Sequence, residues 1–343
     1  MEYLRNCWYM VGWADEIENA AMLTRRVCDI PLVIFRTEAG VSALVDTCPH
    51  RFAPLSRGSI AAGVVTCGYH GLAFDGTGAC VRNPHGPATR RMRVRALPTV
   101  ERYLGLWTWF GDPALADTAL IPDFSFHHVG TPTAISKGML HGNADYRLYV
   151  DNILDLSHID FLHADTLGGG SIVGTRQQVR EDERSLTVRW SNSGVPASPL
   201  QIRLGSFAPD GRFDRYTEVT WHAPGSMKLI SSVGPIGASE EQLSKSIGAH
   251  VMTPETAHTL HYFFSSTRNF RIDDAEFNEL FATARDKVFS TEDGPMIAAV
   301  QERMGNRDLL ELQPLLLKSD EAAIKVRRKV EKMLAAERAV EVA

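Results

Sequence analysis

Cysteine is scarce in this chain: five in 343 residues. An odd number in so long a chain argues against a disulfide framework and points to free thiols in a reducing, cytoplasmic compartment. Long apolar runs are missing as well. None approaches the roughly 18 uninterrupted residues that a membrane helix needs. The opening stretch MEYLRNCWYMVGWADEIE has no basic segment followed by a clean apolar one, so no signal peptide is expected. Basic blocks are absent and the formal net charge is −5, which argues against nucleic acid or an anionic membrane as partner. There is no internal repeat, no GxGxxG and no P-loop. The GGG at 168–170 lacks the strand-to-helix setting of a phosphate cradle.

What is present is ordinary in bulk and specific in detail. Hydrophobic residues make up 44% and charged residues 22%, enough for a large core. The length predicts about two domains. Residues 25–110 carry short β-rich runs. RRVCDIPLVIFRTEAGVSALVDTC predicts two strands around a glycine turn. GVVTCGYHGLAFDGTGACV predicts two more, and YLGLWTWFGDP another. From about residue 140 the pattern changes. DYRLYVDNILDLSHIDFLH predicts a helix. SLTVRWSN, RYTEVTWHAPGSMKLISSV and HTLHYFFSSTRNF predict strands. IDDAEFNELFATARDKVFSTED has the apolar spacing of a long amphipathic helix, and SDEAAIKVRRKVEKMLAAERAV that of a final surface helix. Strands and helices without βαβ alternation give an α+β class. The boundary is placed between an all-β domain, 1–115, and a second domain, 116–343.

Two loops pair cysteine with histidine: Cys48-x-His50 and Cys67-x-x-His70. Two metals fit two thiolates and two imidazoles. Zinc takes all four in a tetrahedron, but its loops usually supply like ligands in pairs. A Rieske [2Fe–2S] cluster takes cysteines on one iron and histidines on the other, so one of each per loop is what it requires. Glycines at 58, 63, 68 and 71 would let main-chain amides approach the sulfides. Such a cluster passes single electrons, so a second site must do the chemistry.

DNILDLSHIDFLH, residues 151–163, offers Asn152, Asp155, His158 and His163. On an ideal helix the histidines sit ~140° apart, too divergent to share a metal. Either the helix ends or bulges between them, for instance by a π-type distortion, or they serve different purposes. A non-haem iron(II) site needs two histidines and one carboxylate with open positions for O₂. STEDGPM offers Asp293.

These segments together, with NCWY, CPHR, APLS, GDPALAD, TPET and RNF, resemble the Rieske non-haem iron aromatic oxygenases over nearly the whole chain. The branch it is most similar to is that of the vanillate and dicamba O-demethylase oxygenase components. The resemblance implies an N-terminal Rieske domain and a helix-grip-like C-terminal domain with an antiparallel sheet and long helices. It implies His158, His163 and Asp293 as ligands of a mononuclear Fe(II). Pro295 must disturb the helix there, and Glu292 is the alternative carboxylate.

It further implies a head-to-tail homotrimer, in which Asp155 bridges His70 of one chain and His158 of the next, with Asn152 as a polar neighbour. Electrons would come from an NAD(P)H-dependent flavin/iron–sulfur reductase, directly or through a ferredoxin. O₂ and an aromatic small molecule would be the substrates. His250, Ile230, Phe264, Phe281 and Ala284 are the expected substrate-pocket positions. Dicamba-type enzymes have tryptophan where this chain has Ala284, so a wider pocket is expected there. The expected reaction is oxidative O-demethylation of a methoxylated aromatic acid, with hydroxylation or N-demethylation of another ring as the alternative.

Overall fold

The computed structural model describes residues 2–18, 22–128, 135–168, 172–203 and 207–342, without the side chains of residues 284–286, 341 and 342. Contacts divide the chain into two units. One is Met1–Ile121 with Thr253–Ala257 and Glu337–Ala343; the other is Pro122–Met252 with His258–Ala336. The sequence had suggested one cut at 115/116. A linear pattern does not reveal segments that return to an earlier unit.

The first unit is all β. Its strands are β1 (Trp8–Trp13), β2 (Leu23–Val27), β3 (Ile30–Thr37), β4 (Gly40–Val45), β5 (Ser59–Ala61), β6 (Val64–Thr66), β7 (Ala73–Phe74), β8 (Cys80–Arg82), β9 (Ala96–Leu97), β10 (Thr99–Arg102) and β11 (Gly105–Trp109). They form three sheets, in the orders β1-β11-β10, β2-β3-β4-β9 and β5-β6-β7-β8. The first segment read as two strands is in fact three. Cys28 and Asp29, with φ of 50° and 65°, make a two-residue turn between β2 and β3. Hairpin turns of this kind need two positive φ values, and Cys-Asp lacks the usual glycine that announces one.

The second unit carries a seven-stranded antiparallel sheet. Its strands are β12 (Ser136–Gly142), β13 (Gln178–Glu181), β14 (Ser185–Val195), β15 (Phe213–His222), β16 (Ser226–Pro235), β17 (Ser244–Thr256) and β18 (Thr259–Arg268), in the order β12-β18-β17-β16-β15-β14-β13. Its helices are α1 (Tyr146–Leu154), α2 (Ile159–Leu162), α3 (Pro199–Arg203), α4 (Ala275–Val288), α5 (Gly294–Met304) and α6 (Glu321–Val342). This is the expected α+β arrangement. Strand alternation is clear in β15, where Arg215, Thr217, Val219 and Trp221 are buried and the residues between them are not, as in a sheet with one covered face. An ion-pair group ties α1 to α6: Arg327 holds Asp151 at 2.6 and 2.8 Å. Among the described residues no helix is long and apolar enough to cross a membrane.

The segment read as one helix through residue 163 is broken. α1 ends at Leu154, and Asp155 leaves helical conformation with φ −119° and ψ 92°. A tight 3₁₀ turn, Leu156–His158, follows before α2. The Asp155 side chain caps that turn by accepting the Ser157 N–H at 2.9 Å. A capping side chain competes with helix continuation. A π distortion does occur, but further along: Phe289–Asp293 is a π turn between α4 and α5. Its wider loop accommodates Pro295, whose missing N–H cannot extend an α-helical ladder.

Candidate metal centres and the adjoining cavity

The two Cys/His loops have one main-chain design. The Cys48 carbonyl accepts from the Phe52 N–H and the Cys67 carbonyl from the Gly71 N–H, at 2.9 and 3.0 Å. Each cysteine N–H donates to the residue five positions on, Ala53 and Leu72. The pattern needs a left-handed residue at its fifth position, supplied by Phe52 (φ 57°) and Gly71 (φ 74°). Gly58 has a different reason from the one expected: a Cβ there would lie 1.9 Å from the Thr66 carbonyl oxygen, so it lets the two loops touch. Cys48 and Cys67 are buried among Val33, Phe35, Leu44, Leu55 and Phe74. The His50 and His70 rings stand 4.4 Å apart between centroids, on the more exposed side. Burial pushes the Cys48 thiol up against the hydrogen bond from the His50 main chain, and neighbouring Cys67 adds to the rise. A cation shared by both sulfurs reverses that preference, because coordination favours thiolate. Two buried sulfurs on one side and two imidazoles on the other fit a Rieske cluster's donor set.

In the second unit, single ligand atoms of His158, His163 and Asp293 lie within 4.8 Å of one another. The break at Asp155 makes this possible. His158 closes the 3₁₀ turn and His163 follows the single turn of α2, so the ring centroids come within 5.1 Å despite the helical divergence. Asp293 Oδ1 is 3.1 Å from His163 Nε2 and 3.4 Å from His158 Nε2. Burial pushes the Asp293 carboxyl up, but hydrogen bonds from the two histidines prevail and hold it at about 2. Asn152 donates to Asp293 Oδ1 at 3.1 Å and lies 3.4 Å from His158 Nε2.

Each imidazole is held by its other nitrogen. His158 Nδ1 is 2.6 Å from the Asp155 carbonyl oxygen and His163 Nδ1 is 2.7 Å from Glu292 Oε2. This leaves both Nε2 atoms for a metal. Within the chain, then, it is the Asp155 main chain that contacts His158, whereas a contact from its carboxylate was expected. Glu292, weighed as an alternative ligand, instead braces His163 and also accepts the Thr166 hydroxyl at 3.0 Å. Two imidazoles and one carboxylate on one side fit a non-haem iron donor set.

A cavity of about 230 Å³ is lined in part by the turns that carry this cluster, though not by His158, His163 or Asp293 themselves. The turns bearing His158 and Asp293 supply Leu156 and Phe289 to its wall, and the adjoining α2 and α4 add Ile159 and Val288. The sheet makes the floor by alternation: Arg215 and Thr217 from β15, then Leu229, Ser231 and Val233 from β16. β17 adds Ser244, Ser246, Gly248 and His250. Of the expected pocket residues, His250 and Phe281 line this space. His250 Nδ1 is 2.6 Å from the Tyr262 hydroxyl. Ile230 does not line it, because it points to the other face of β16. Phe264 sits behind the wall, stacked on Phe289 at 6.2 Å. Ala284 lies on α4 with its side chain outside the described residues. Sequence reasoning missed Phe289, Gln201 and Arg215. The usable signal for Arg215 was a charge at a buried-face position of an alternating strand.

Comparison with known proteins agrees with this geometry. Residues 7–100 match the Rieske [2Fe-2S] domain, and residues 142–336 match the vanillate O-demethylase oxygenase C-terminal domain. The chain is 36% identical to the dicamba O-demethylase oxygenase component of Stenotrophomonas maltophilia, over 97% of this chain and 98% of that one. It is 34% identical to the chloroacetanilide N-alkylformylase oxygenase component of Rhizorhabdus wittichii, over 98% and 97%. A crystal structure of dicamba monooxygenase bound to dicamba superposes with a TM-score of 0.90 at 35% identity, covering 99% of this chain and all of that one. The chain thus belongs to the Rieske non-haem iron oxygenases of the vanillate O-demethylase family, as the oxygenase component of a monooxygenase.

Proposed function

We propose that this oxygenase removes the methyl group of a methoxylated aromatic acid as formaldehyde. The observation that carries the reading is the His158/His163/Asp293 cluster beside a cavity with aromatic walls. In this reading Cys48, Cys67, His50 and His70 hold the cluster, and His158, His163 and Asp293 hold the iron. With both loaded and electrons supplied, the chemistry is hydroxylation of a methyl carbon by O₂, after which the hemiacetal collapses to a phenol and formaldehyde.

The chain's own groups do the rest. Glu292 and the Asp155 carbonyl fix the imidazoles, and Asn152 steadies Asp293. Phe281 and Phe289 confine the ring, and His250 presents a polar edge to it. A reductase using NAD(P)H, directly or through a ferredoxin, delivers the electrons in a reducing cytoplasm. The chains form a head-to-tail trimer, with the Asp155 carboxylate facing the neighbour's His70. Its support is its place on the turn that carries His158.

N-dealkylation is the second reading, favoured by the similarity to the chloroacetanilide enzyme. A surrogate reductase with methoxybenzoates and N-methylanilines, scored for formaldehyde, separates the two. Oxidation of the reduced protein by O₂ without formaldehyde from any methoxyarene would exclude the demethylase reading.

A further inference from the structure

The sheet floor of the cavity carries a row of hydroxyls. Thr217 pairs with Ser231, and Ser231 with Ser246, and all three line the cavity. They stand side by side on β15, β16 and β17, because directly opposite residues keep their Cβ atoms about 4.5–5.5 Å apart. On β16 the row is bounded by Leu229 on one side and Val233 on the other. Three other opposed hydroxyl pairs in this chain close on each other: Thr187 with Thr220 and Ser136 with Ser266 at 3.0 Å, and Thr99 with Thr108 at 3.1 Å. Thr217, Ser231 and Ser246 do not. Among the described residues nothing hydrogen-bonds their side chains. Thr217 is only 7% exposed, and it is the cavity that its side chain borders.

A hydroxyl held away from water without a partner is unfavourable, and here three stand together. The charge beside them is already met. Arg215, two residues before Thr217 on the same face of β15, is answered by Gln201 Oε1 at 2.8 Å and by the Asp160 carboxylate. The row itself is neutral, so a carboxylate seated on it would be desolvated without a counter-charge in the row. Each hydroxyl offers one donor and two acceptor lone pairs and turns to suit its partner. The group that such a row suits is neutral and both donates and accepts. On an aromatic molecule that group is a ring hydroxyl.

We infer that Thr217, Ser231 and Ser246 are specificity-determining residues that hydrogen-bond a phenolic hydroxyl of the substrate. This rests on the demethylase reading and narrows its substrate to a ring that bears a hydroxyl as well as the methyl ether. Ser246 lies four residues before His250 on β17, about 13 Å along the strand. The row and the histidine therefore address different parts of the bound molecule.

The test measures binding of the three methoxyphenols and of the matching methylanisoles to the iron-loaded holoenzyme by calorimetry, beside formaldehyde release from each. A methyl group fills the volume of the hydroxyl without its hydrogen bonds. In at least one ring isomer, Ser231→Ala should weaken the phenol about 3- to 10-fold while changing the methylanisole less than about 2-fold. Thr217→Val should act in the same way, and Thr217→Ser, which keeps the hydroxyl, should keep the parental ratio. Removing all three hydroxyls together should cost the phenol at least ~10-fold. The visible spectrum of the cluster reports folding of each variant, and Ser231→Ala and Thr217→Val test the row independently. Equal weakening of phenol and methylanisole, or no change in either across the three isomers, would overturn the row. Selective loss of phenol binding with no formaldehyde from any methoxyarene would support the row and remove the demethylase reading beneath it.

Discussion

Glu292→Ala separates a brace from a ligand. In the structure Glu292 accepts from His163 Nδ1 at 2.7 Å and from the Thr166 hydroxyl at 3.0 Å, while Asp293 faces both Nε2 atoms. Removing a carboxylate that orients a metal-bound imidazole lowers metal affinity ~10- to 100-fold, about 1.4–2.7 kcal/mol. The Glu292 side chain is 23% exposed, so solvent tempers the effect without erasing it. Glu292→Gln keeps a neutral acceptor for the His163 N–H, and charge-assisted bonds are roughly twice as strong as neutral ones. It should therefore stay near the 10-fold end, with Glu292→Ala closer to 100-fold. Asp293→Ala should abolish binding within the measurable range. The assay is an anaerobic Fe(II) titration against a competing chelator, with the visible spectrum of the cluster as the folding control. Unchanged affinity in Glu292→Ala would remove its bracing role. Complete loss in Glu292→Ala with retention in Asp293→Ala would reverse the assignment of ligand and brace.

Metal and sulfide analysis of the purified protein should give about three irons per chain, two of them with labile sulfide; one zinc and no sulfide would refute the cluster. Asp155→Asn should load both sites and keep its cap on Ser157, yet turn over at least ~10-fold more slowly. The cluster should stay reduced after O₂ and substrate are added, and parental re-oxidation would refute the bridge to the neighbouring chain. Arg327→Ala should destabilise the second unit by about 2–3 kcal/mol, below the full cost of breaking a buried pair, because Asp151 loses its main cation but is 18% exposed and still feels Arg147. A urea midpoint within error of the parent's would refute that.

The metal residues were legible because their chemistry demands particular side chains at short spacing. Cys48, His50, Cys67 and His70 could be read without any fold. His158 and His163 could be read only as a pair that a regular helix keeps apart. What reconciles them is the break at Asp155, and its signal was present: aspartate is among the preferred helix N-cap residues, accepting a main-chain N–H two or three positions on. It was hidden inside an apolar periodicity that continues on both sides. The π turn was announced by Pro295, though only as a disturbance, since a proline does not specify which way the backbone yields. The cavity was least legible. Ile230 and Ser231 are neighbours in sequence, and only the register of β16 decides which one faces the substrate. A one-residue difference puts a side chain on the opposite face.

That register divides the labour along the covered face of the sheet. On β15, Arg215 and Thr217 face the cavity, and the next two inward residues, Val219 and Trp221, are close-packed. On β16 the change falls between Leu229 and Met227, and on β17 between His250 and Met252. The fold is thus anchored by one half of the face, while the other half borders empty volume. Cores punish altered volume, because neighbours must collapse or strain. Positions that already border a void are spared most of that penalty. Ser231, Ser244 and Ser246 can therefore be exchanged for larger or smaller residues with little effect on folding, and each exchange reshapes the chamber. Selectivity in such a protein can drift by single substitutions while its thermal tolerance stays nearly constant.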